Sequence, residues 1–583
     1  MPTTMATLPK TTRGRLPLPG RLRSAAAGVA LIGLTALPAG ALTAAAASEV
    51  PPANVIVRST GVEAAAQAVA RAGGTVLRPL TAVDGVVARM PSARLAALAT
   101  STPAIRVTPD ISLRLSGTAA WSPVGDTGSM YETTNLTGAR GLWSMGATGR
   151  GVGVALIDSG VAPVEGLTGT GKVVDGPDIS FDSQSPALQH IDSYGHGTHM
   201  AGIISGRDPG AAPGRYAGDT THFLGMAPDA RVLSVKVANT QGATDVSQVI
   251  AAIDWVVQHR DDRGMNIRVL NLSFGTDSAQ AYALDPLADA AEVAWRDGIV
   301  VVASVGNAGV MSKGLDDPAY DPYLIAVGAA DTMGTSTTAD DAVASFSSTG
   351  STRDPDLVAP GVHIVGLRDP GSYIDAHYGS TGEVTPRFFR GSGTSQAAAV
   401  VSGAAALLLS QRPDATPDQV KALLTSTATP LAGASSHRQG SGELDLARAG
   451  SAPTPAARQA WPASSGTGSL DRSRGSLHVY CDGVPLSGEQ DIFGRAVDTA
   501  ALAASEAAGT AWTGGNWNGS TWSGSTWSGS TWSGSTWSGS TWSGSTWSGS
   551  TWSGSTWSGS TWSGSTWSGS TWSGSTWSVW KWS

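Results

Sequence analysis

Between about Gly141 and Gly450 the chain alternates two kinds of hydrophobic pattern. Val152–Ile157, Ala230–Val237, Ile267–Leu272, Ile299–Ala303 and Tyr323–Val327 are short, continuously apolar and rich in β-branched residues, and they read as buried strands. Between them, Asp245–His259 and Pro286–Arg296 carry the spacing of helices with one face on a core. Strands alternating with helices predict an α/β fold, a parallel sheet with helices on both faces. In such sheets the chemistry gathers at the C-terminal ends of strands. Asp158 closes the first of these runs, so it stands where chemistry is expected.

A smaller unit precedes this region. Asn54–Arg58 reads as a strand, Val62–Ala72 as a helix stopped by Gly73-Gly74, and Thr75–Pro79 and Gly85–Met90 as two further strands. Ser92–Thr100 is helical again and Ile105–Leu115 extended. The order βαββαβ predicts a small ferredoxin-like α+β unit over residues 48–118. Residues 116–140 are rich in Gly, Ser, Thr and Pro and are expected to hold a processing site.

After residue 450 the pattern changes twice. Residues 451–511 are rich in Pro, Ala and Ser and read as a linker, with a small ordered patch at Ser476–Val497. From Trp512 onward Trp returns at every fifth position to Trp577, in the unit Gly-Ser-Thr-Trp-Ser. A period of five fits neither a helix nor one long strand, but two units would return Trp to the same face of a strand. Short strands stacking Trp rings and a low-complexity tail are the two readings of residues 512–583. An uncharged, aromatic-rich repeat suits a cell-wall or polysaccharide surface.

Composition narrows the function. The 583 residues carry a net charge of −8, which gives no basic surface for nucleic acid. Cys481 is the only cysteine, so neither an intrachain disulfide nor a cysteine metal site is available. Five Lys and Arg residues before Arg23 and at it lead into an Ala-rich apolar run that ends near Ala47. Residues 1–47 therefore read as a secretory signal, whose removal would take the net charge to −13. The expected product is exported.

Three motifs carry the chemistry. Ser395, in Gly391-Ser392-Gly393-Thr394-Ser395-Gln396-Ala397-Ala398-Ala399, enters an apolar helical run. A serine hydroxyl needs a base, and His196 in Gly195-His196-Gly197-Thr198-His199 supplies the residue type. Asp158 supplies a carboxylate to orient it. These three stretches, with Asp158-Ser159-Gly160, resemble the motifs of the subtilisin-like serine protease family. That family usually has Gly-Thr-Ser-Met-Ala-x-Pro at the nucleophile, and the resemblance extends from about Thr148 to Ala449.

The resemblance implies a subtilisin-like domain over residues 119–450. Ser395 would be the nucleophile, His196 the general base, Asp158 the orienting carboxylate, and His199 a structural histidine. Ser304-Val305-Gly306-Asn307 resembles the family segment in which the asparagine amide meets the oxyanion, which points to Asn307. Ser273, Phe274 and Gly275 resemble the segment that pairs with the substrate chain, and Ser304, Val305 and Gly306 would line the opposite side. Val305 would narrow the pocket for the residue before the scissile bond. Residues 48–118 resemble the family's inhibitor-type propeptides, which occupy the cleft until removed.

Gln396 stands where the family usually has Met, and Ala399 where it has Pro; neither change removes a catalytic group. The implied activity is that of a secreted endopeptidase acting on proteins or peptides, with no cofactor required for catalysis. Structural calcium, often used in the family, stays open and unassigned to residues, with no EF-hand-type carboxylate cluster in the sequence. Two other classes compete. One is a surface-binding protein with a vestigial protease domain and a working Trp repeat; the other is an esterase or acyl transferase using the same three residues.

Overall fold

The computed structural model describes residues 53–109 and 121–521, except 103, 186, 482, 483 and 514, and short strands of the repeat between Thr526 and Ser578. The expected export signal lies outside the described residues. The chain divides between Gly117 and Thr118 into two compact units.

The first unit has the βαββαβ order that its pattern predicts. β1 (Ala53–Arg58), β2 (Thr75–Leu80), β3 (Gly85–Met90) and β4 (Arg106–Pro109) form an antiparallel sheet in the order β2-β3-β1-β4. Helices Val62–Arg71 and Leu95–Ala99 complete it. Alternate residues Val55 and Val57 of β1 meet Val69 of the first helix, together with Val86, Ala88 and Met90 of β3, in a separate small core. Gly73, at φ 75, ends the first helix in a left-handed conformation open to glycine.

In the second unit the main sheet is built from β5 (Gly153–Asp158), β6 (Val173–Asp178), β7 (Arg231–Lys236), β8 (Ile267–Leu272), β9 (Val300–Ser304), β10 (Ile325–Asp331), β11 (Ala342–Val343) and β12 (Leu357–Pro360). The order is β11-β10-β9-β8-β5-β7-β6, with β12 also paired to β10. All pairings are parallel except β10 with β11. The sheet is therefore mixed at one edge rather than wholly parallel as expected. Chain order reverses direction across β5, with β7 on one side and β8 on the other. Asp158 thus ends a strand at the topological switch point, where open α/β sheets form their crevice.

Helix Thr394–Gln411 is buried from Thr394 to Leu409. It packs against β8, β9, β10 and β12 and against helix His196–Ser205. Its small residues allow this: a Cβ on Gly403 would lie 2.4 Å from Met226 Cβ. Propensity alone would place Gly poorly in a helix, so packing decides here.

Residues 453–521 depart from the expected linker. This segment is a strap fastened to the rest of the second unit at several points, with Leu477, Tyr480 and Val484 exposed between them. Ser464 N–H donates to Glu292, Gln280 reaches the Ser469 carbonyl, and Leu470 is fully buried. The Arg474 guanidinium is fully buried and paired with Asp245 at 2.7 Å, and it also donates to the carbonyls of Gly488 and Gln490. Trp512 and Trp517, the first two of the repeat, are buried on helix Val246–His259. Their indoles donate to the Ala251 carbonyl and to Asp254 Oδ2, each at 2.7 Å. Composition reads as linker because most of these residues form no periodic element. Their order comes from hydrogen bonds to the body beneath.

Further along, two- and three-residue strands recur with the repeat, and each pairs in parallel with the strand twenty residues on, as in Trp527 with Trp547 and Trp547 with Trp567. Four units separate the paired strands. Among the described residues, no helix is long and apolar enough to cross a membrane.

Candidate active site

Asp158 is buried at the end of β5, with Oδ1 accepting hydrogen bonds from the Ser159 N–H at 2.8 Å and the Ser159 hydroxyl at 3.2 Å. His196 Nδ1 lies 2.8 Å from Oδ1 and 3.0 Å from Oδ2 of the same carboxyl. With Asp158 ionised, Nδ1 carries the proton and donates it, leaving Nε2 with its lone pair. The histidine side chain is 22% exposed, so one edge of the ring reaches solvent. Burial disfavours the imidazolium, but the Asp158 charge and hydrogen bond outweigh it, and the His196 pKa is raised above 6.5.

A second buried carboxyl, which the sequence reading did not single out, holds His196 in place. Asp192 accepts from Gly195 N–H at 2.6 Å, Thr198 N–H at 2.7 Å and the Ser159 hydroxyl at 2.8 Å. Ser159 in turn accepts from Gly197 N–H at 2.9 Å. The open N-terminus of helix His196–Ser205 is thereby satisfied, and its first residue is tied to the Asp158 turn. Gly195 takes φ 100 to start that helix. One turn on, His199 is buried among Gly366 and its neighbours, and burial pushes its pKa down to about 3, so the ring is neutral and structural.

Ser395 is the second residue of helix Thr394–Gln411. Its hydroxyl donates to the Ser273 carbonyl at 2.9 Å, and the Ser273 hydroxyl donates back to the Ser395 carbonyl at 3.2 Å. Asn271 Nδ2 donates to the Ser273 hydroxyl, and Ser402 donates to Asn271 Oδ1, each at 2.8 Å. This chain of bonds fixes the start of the Ser395 helix against the end of β8. Asn307 follows β9 and is exposed. Its Oδ1 accepts from the Thr394 N–H and hydroxyl, which leaves Nδ2 as the donor available to a ligand.

The remaining predicted residues separate. Ser273 is buried, while Phe274 and Gly275 are half-buried and lie beyond the end of β8. Ser304 closes β9 and Gly306 has φ 98. Val305 corrects an expectation: it is fully buried in the main core, so its side chain does not narrow a pocket. Sequence reasoning missed Asp192, Thr394 and Asp316, the last of which touches Gly306. Among the described residues there is no group of three or more His, Cys, Asp or Glu placed to hold a metal ion.

Residues 149–442 match the family model described as the subtilase family. The chain belongs to the subtilase family. Among curated subtilases, the serine protease AprX of Bacillus subtilis strain 168 is 39% identical over 284 residues, covering 48% of this chain and 61% of AprX. Subtilisin DY of Bacillus licheniformis is 34% identical over 292 residues, 49% of this chain and 87% of that protein. The minor extracellular protease Epr of Bacillus subtilis strain 168 is 30% identical over 298 residues, 51% of this chain and 38% of Epr. The chain thus spans under two thirds of AprX and Epr. The matched subtilase region contains Asp158, His196, Asn307 and Ser395.

Proposed function

We propose that this chain is an exported serine endopeptidase that hydrolyses peptide bonds through an acyl-enzyme on Ser395. The observation that carries the reading is the His196–Asp158 hydrogen bond inside the subtilase region, with Ser395 and Asn307 brought together at the head of one helix. Asp158 fixes the Nδ1–H tautomer and stabilises the imidazolium as it forms. Ser395 exchanges its bond to the Ser273 carbonyl, passes its proton to His196 Nε2 and attacks the substrate carbonyl carbon. The electron pair moves to the carbonyl oxygen, where Asn307 Nδ2 and the Ser395 N–H meet the charge. His196 then protonates the departing amine, and water repeats the sequence to release the acid.

Ser273 to Gly275, beyond the end of β8, would pair with an extended substrate backbone. The first unit acts in this reading as a propeptide, supported by its βαββαβ order and its position before the subtilase domain. Export is supported by the charge and apolar pattern of residues 1–47 and by the likeness to a relative named as extracellular. The Trp repeat would bind polysaccharide; a cell-wall pull-down with and without residues 522–583 tests this.

The deciding experiment is intact mass of the expressed chain, wild type beside Ser395→Ala, in a host without other proteases. Loss of mass up to a point in residues 110–140 in the wild type alone supports peptide-bond cleavage by Ser395. Retention in both, with no labelling by a fluorophosphonate, would sink the reading.

A further inference from the structure

Asp316 occupies an unexpected place between Gly275 and Gly306. A Cβ built on Gly306 would lie 2.2 Å from Asp316 Oδ2, and one on Gly275 would lie 2.7 Å from Asp316 Cβ. The Asp316 side chain therefore fills the gap between two segments that only glycine leaves open. Both segments bound the reacting centre. Gly275 stands two residues after Ser273, whose carbonyl holds the Ser395 hydroxyl, and Gly306 directly precedes Asn307. A substrate carbonyl held between Ser395 and Asn307 starts its own residue's side chain between the same two segments.

We propose that Asp316 forms the floor of the pocket for the side chain on the acyl side of the scissile bond, and that it selects lysine or arginine there. The inference rests on the endopeptidase reading. Asp316 is half-buried, and among the described residues its carboxyl has no hydrogen-bond donor and no cation facing it. The charged groups that act on it are Asp277 and Asp317, both acids. Burial, with Asp277 adding to it, pushes the Asp316 pKa up to about 7. A carboxyl so placed lacks a counter-charge among the described residues, and a cationic substrate side chain supplies one. An apolar side chain would instead bury the carboxyl unpaired.

The test uses the full chain and tetrapeptide p-nitroanilides that differ only in the last residue: Arg, Lys, Phe or Leu. The expected result is that wild-type kcat/KM for Arg and Lys exceeds that for Phe. In Asp316→Asn and Asp316→Ser the Arg-to-Phe ratio should fall by roughly 10². A wild-type preference for Phe or Leu, or a ratio unmoved in both variants while they melt like wild type, would overturn the proposal. If the wild type turns over none of the four, the endopeptidase reading itself fails. Calorimetry of Ser395→Ala with tetrapeptides ending in Arg or Phe then decides the pocket alone: tighter binding of the Arg peptide upholds it, and equal binding overturns it.

Discussion

Asn307 presents its carboxamide oxygen to Thr394, accepting from the N–H at 2.9 Å and the hydroxyl at 3.1 Å, so its NH2 group is turned toward the ligand side. The donor is pre-aligned by the residue next to the nucleophile. Replacing Asn307 by Leu should lower kcat by about 10²–10³ with little change in KM, the loss known for subtilisin-type oxyanion donors. Thr394→Val removes one of the two aligning bonds and should lower kcat by up to about tenfold. Steady-state kinetics on one peptide substrate checks both, and an effect confined to KM would contradict the assignment.

The acid limb of activity should follow His196. Because the Asp158 charge and hydrogen bond raise its pKa above 6.5 against the pull of burial, kcat/KM should fall as pH drops through a midpoint above 6.5. Asp158→Asn removes the cause, so the midpoint should move down and kcat fall by about 10⁴. A pH–rate profile for each protein measures both quantities.

A different group of carboxyls should govern stability. Asp341 and Glu443 face each other with no N–H or O–H of another described residue reaching the Asp341 oxygens or Glu443 Oε2. Burial, then the Asp341 charge, raises the Glu443 pKa from 4.5 to about 9, so the pair shares one proton. The folded state holds this proton where the unfolded state has released it. The stability it confers is full below about 4.5 and is lost as pH rises toward 9. The wild-type thermal midpoint should therefore be lower at pH 9 than at pH 6, and Glu443→Gln should reduce that drop by a few degrees. In the acid direction His199 acts oppositely: its neutral form is favoured in the fold, so stability is lost as pH falls from 6.5 toward 3.

The strap gives a fourth expectation. Arg474 is fully buried against Asp245, the residue that also caps helix Val246–His259. Arg474→Ala leaves that carboxylate buried without its cation and should cost about 3–5 kcal/mol in chemical unfolding. Trp517→Ala, which strips the donor from Asp254 and empties a buried indole site, should cost about 3–5 kcal/mol as well. The Trp517 indole bonds to Asp254 on helix Val246–His259, so kcat of the folded fraction should hold in Trp517→Ala.

Asp158, His196, Ser395 and Asn307 were picked out because the motifs around them resemble those of the subtilase family, and the structure brings Asp158 to His196 and Asn307 to the residue before Ser395. The βαββαβ unit and the central strands were legible because each carries its own hydrophobic period. Asp192 was not, since its partners are backbone N–H groups and a serine 33 residues away. Asp316 reaches the site through the path of the chain between Val305 and Thr276, which no periodicity encodes. Val305 was misplaced because a motif gives a residue's position and not the direction of its side chain. β6, Val173–Asp178, escaped notice because its sequence VVDGPD is half polar.

The strap also bears on how such a molecule survives its own kind. A peptidase is concentrated wherever it is made, and each copy is a substrate for the next. Cleavage needs a segment drawn out as an extended strand, and a Pro- and Ser-rich stretch lacking regular structure is the usual victim. Here that stretch is fastened down, by an ion pair at Arg474 and by two indoles at its far end, without any disulfide. If the chain is the endopeptidase proposed above, a neighbouring copy that cuts at these fastened points must first peel the strap away there, whereas the exposed stretch around Leu477, Tyr480 and Val484 lies open. Under that reading, resistance to self-digestion at the fastened points is set by an unfolding rate rather than by the sequence preference of the active site.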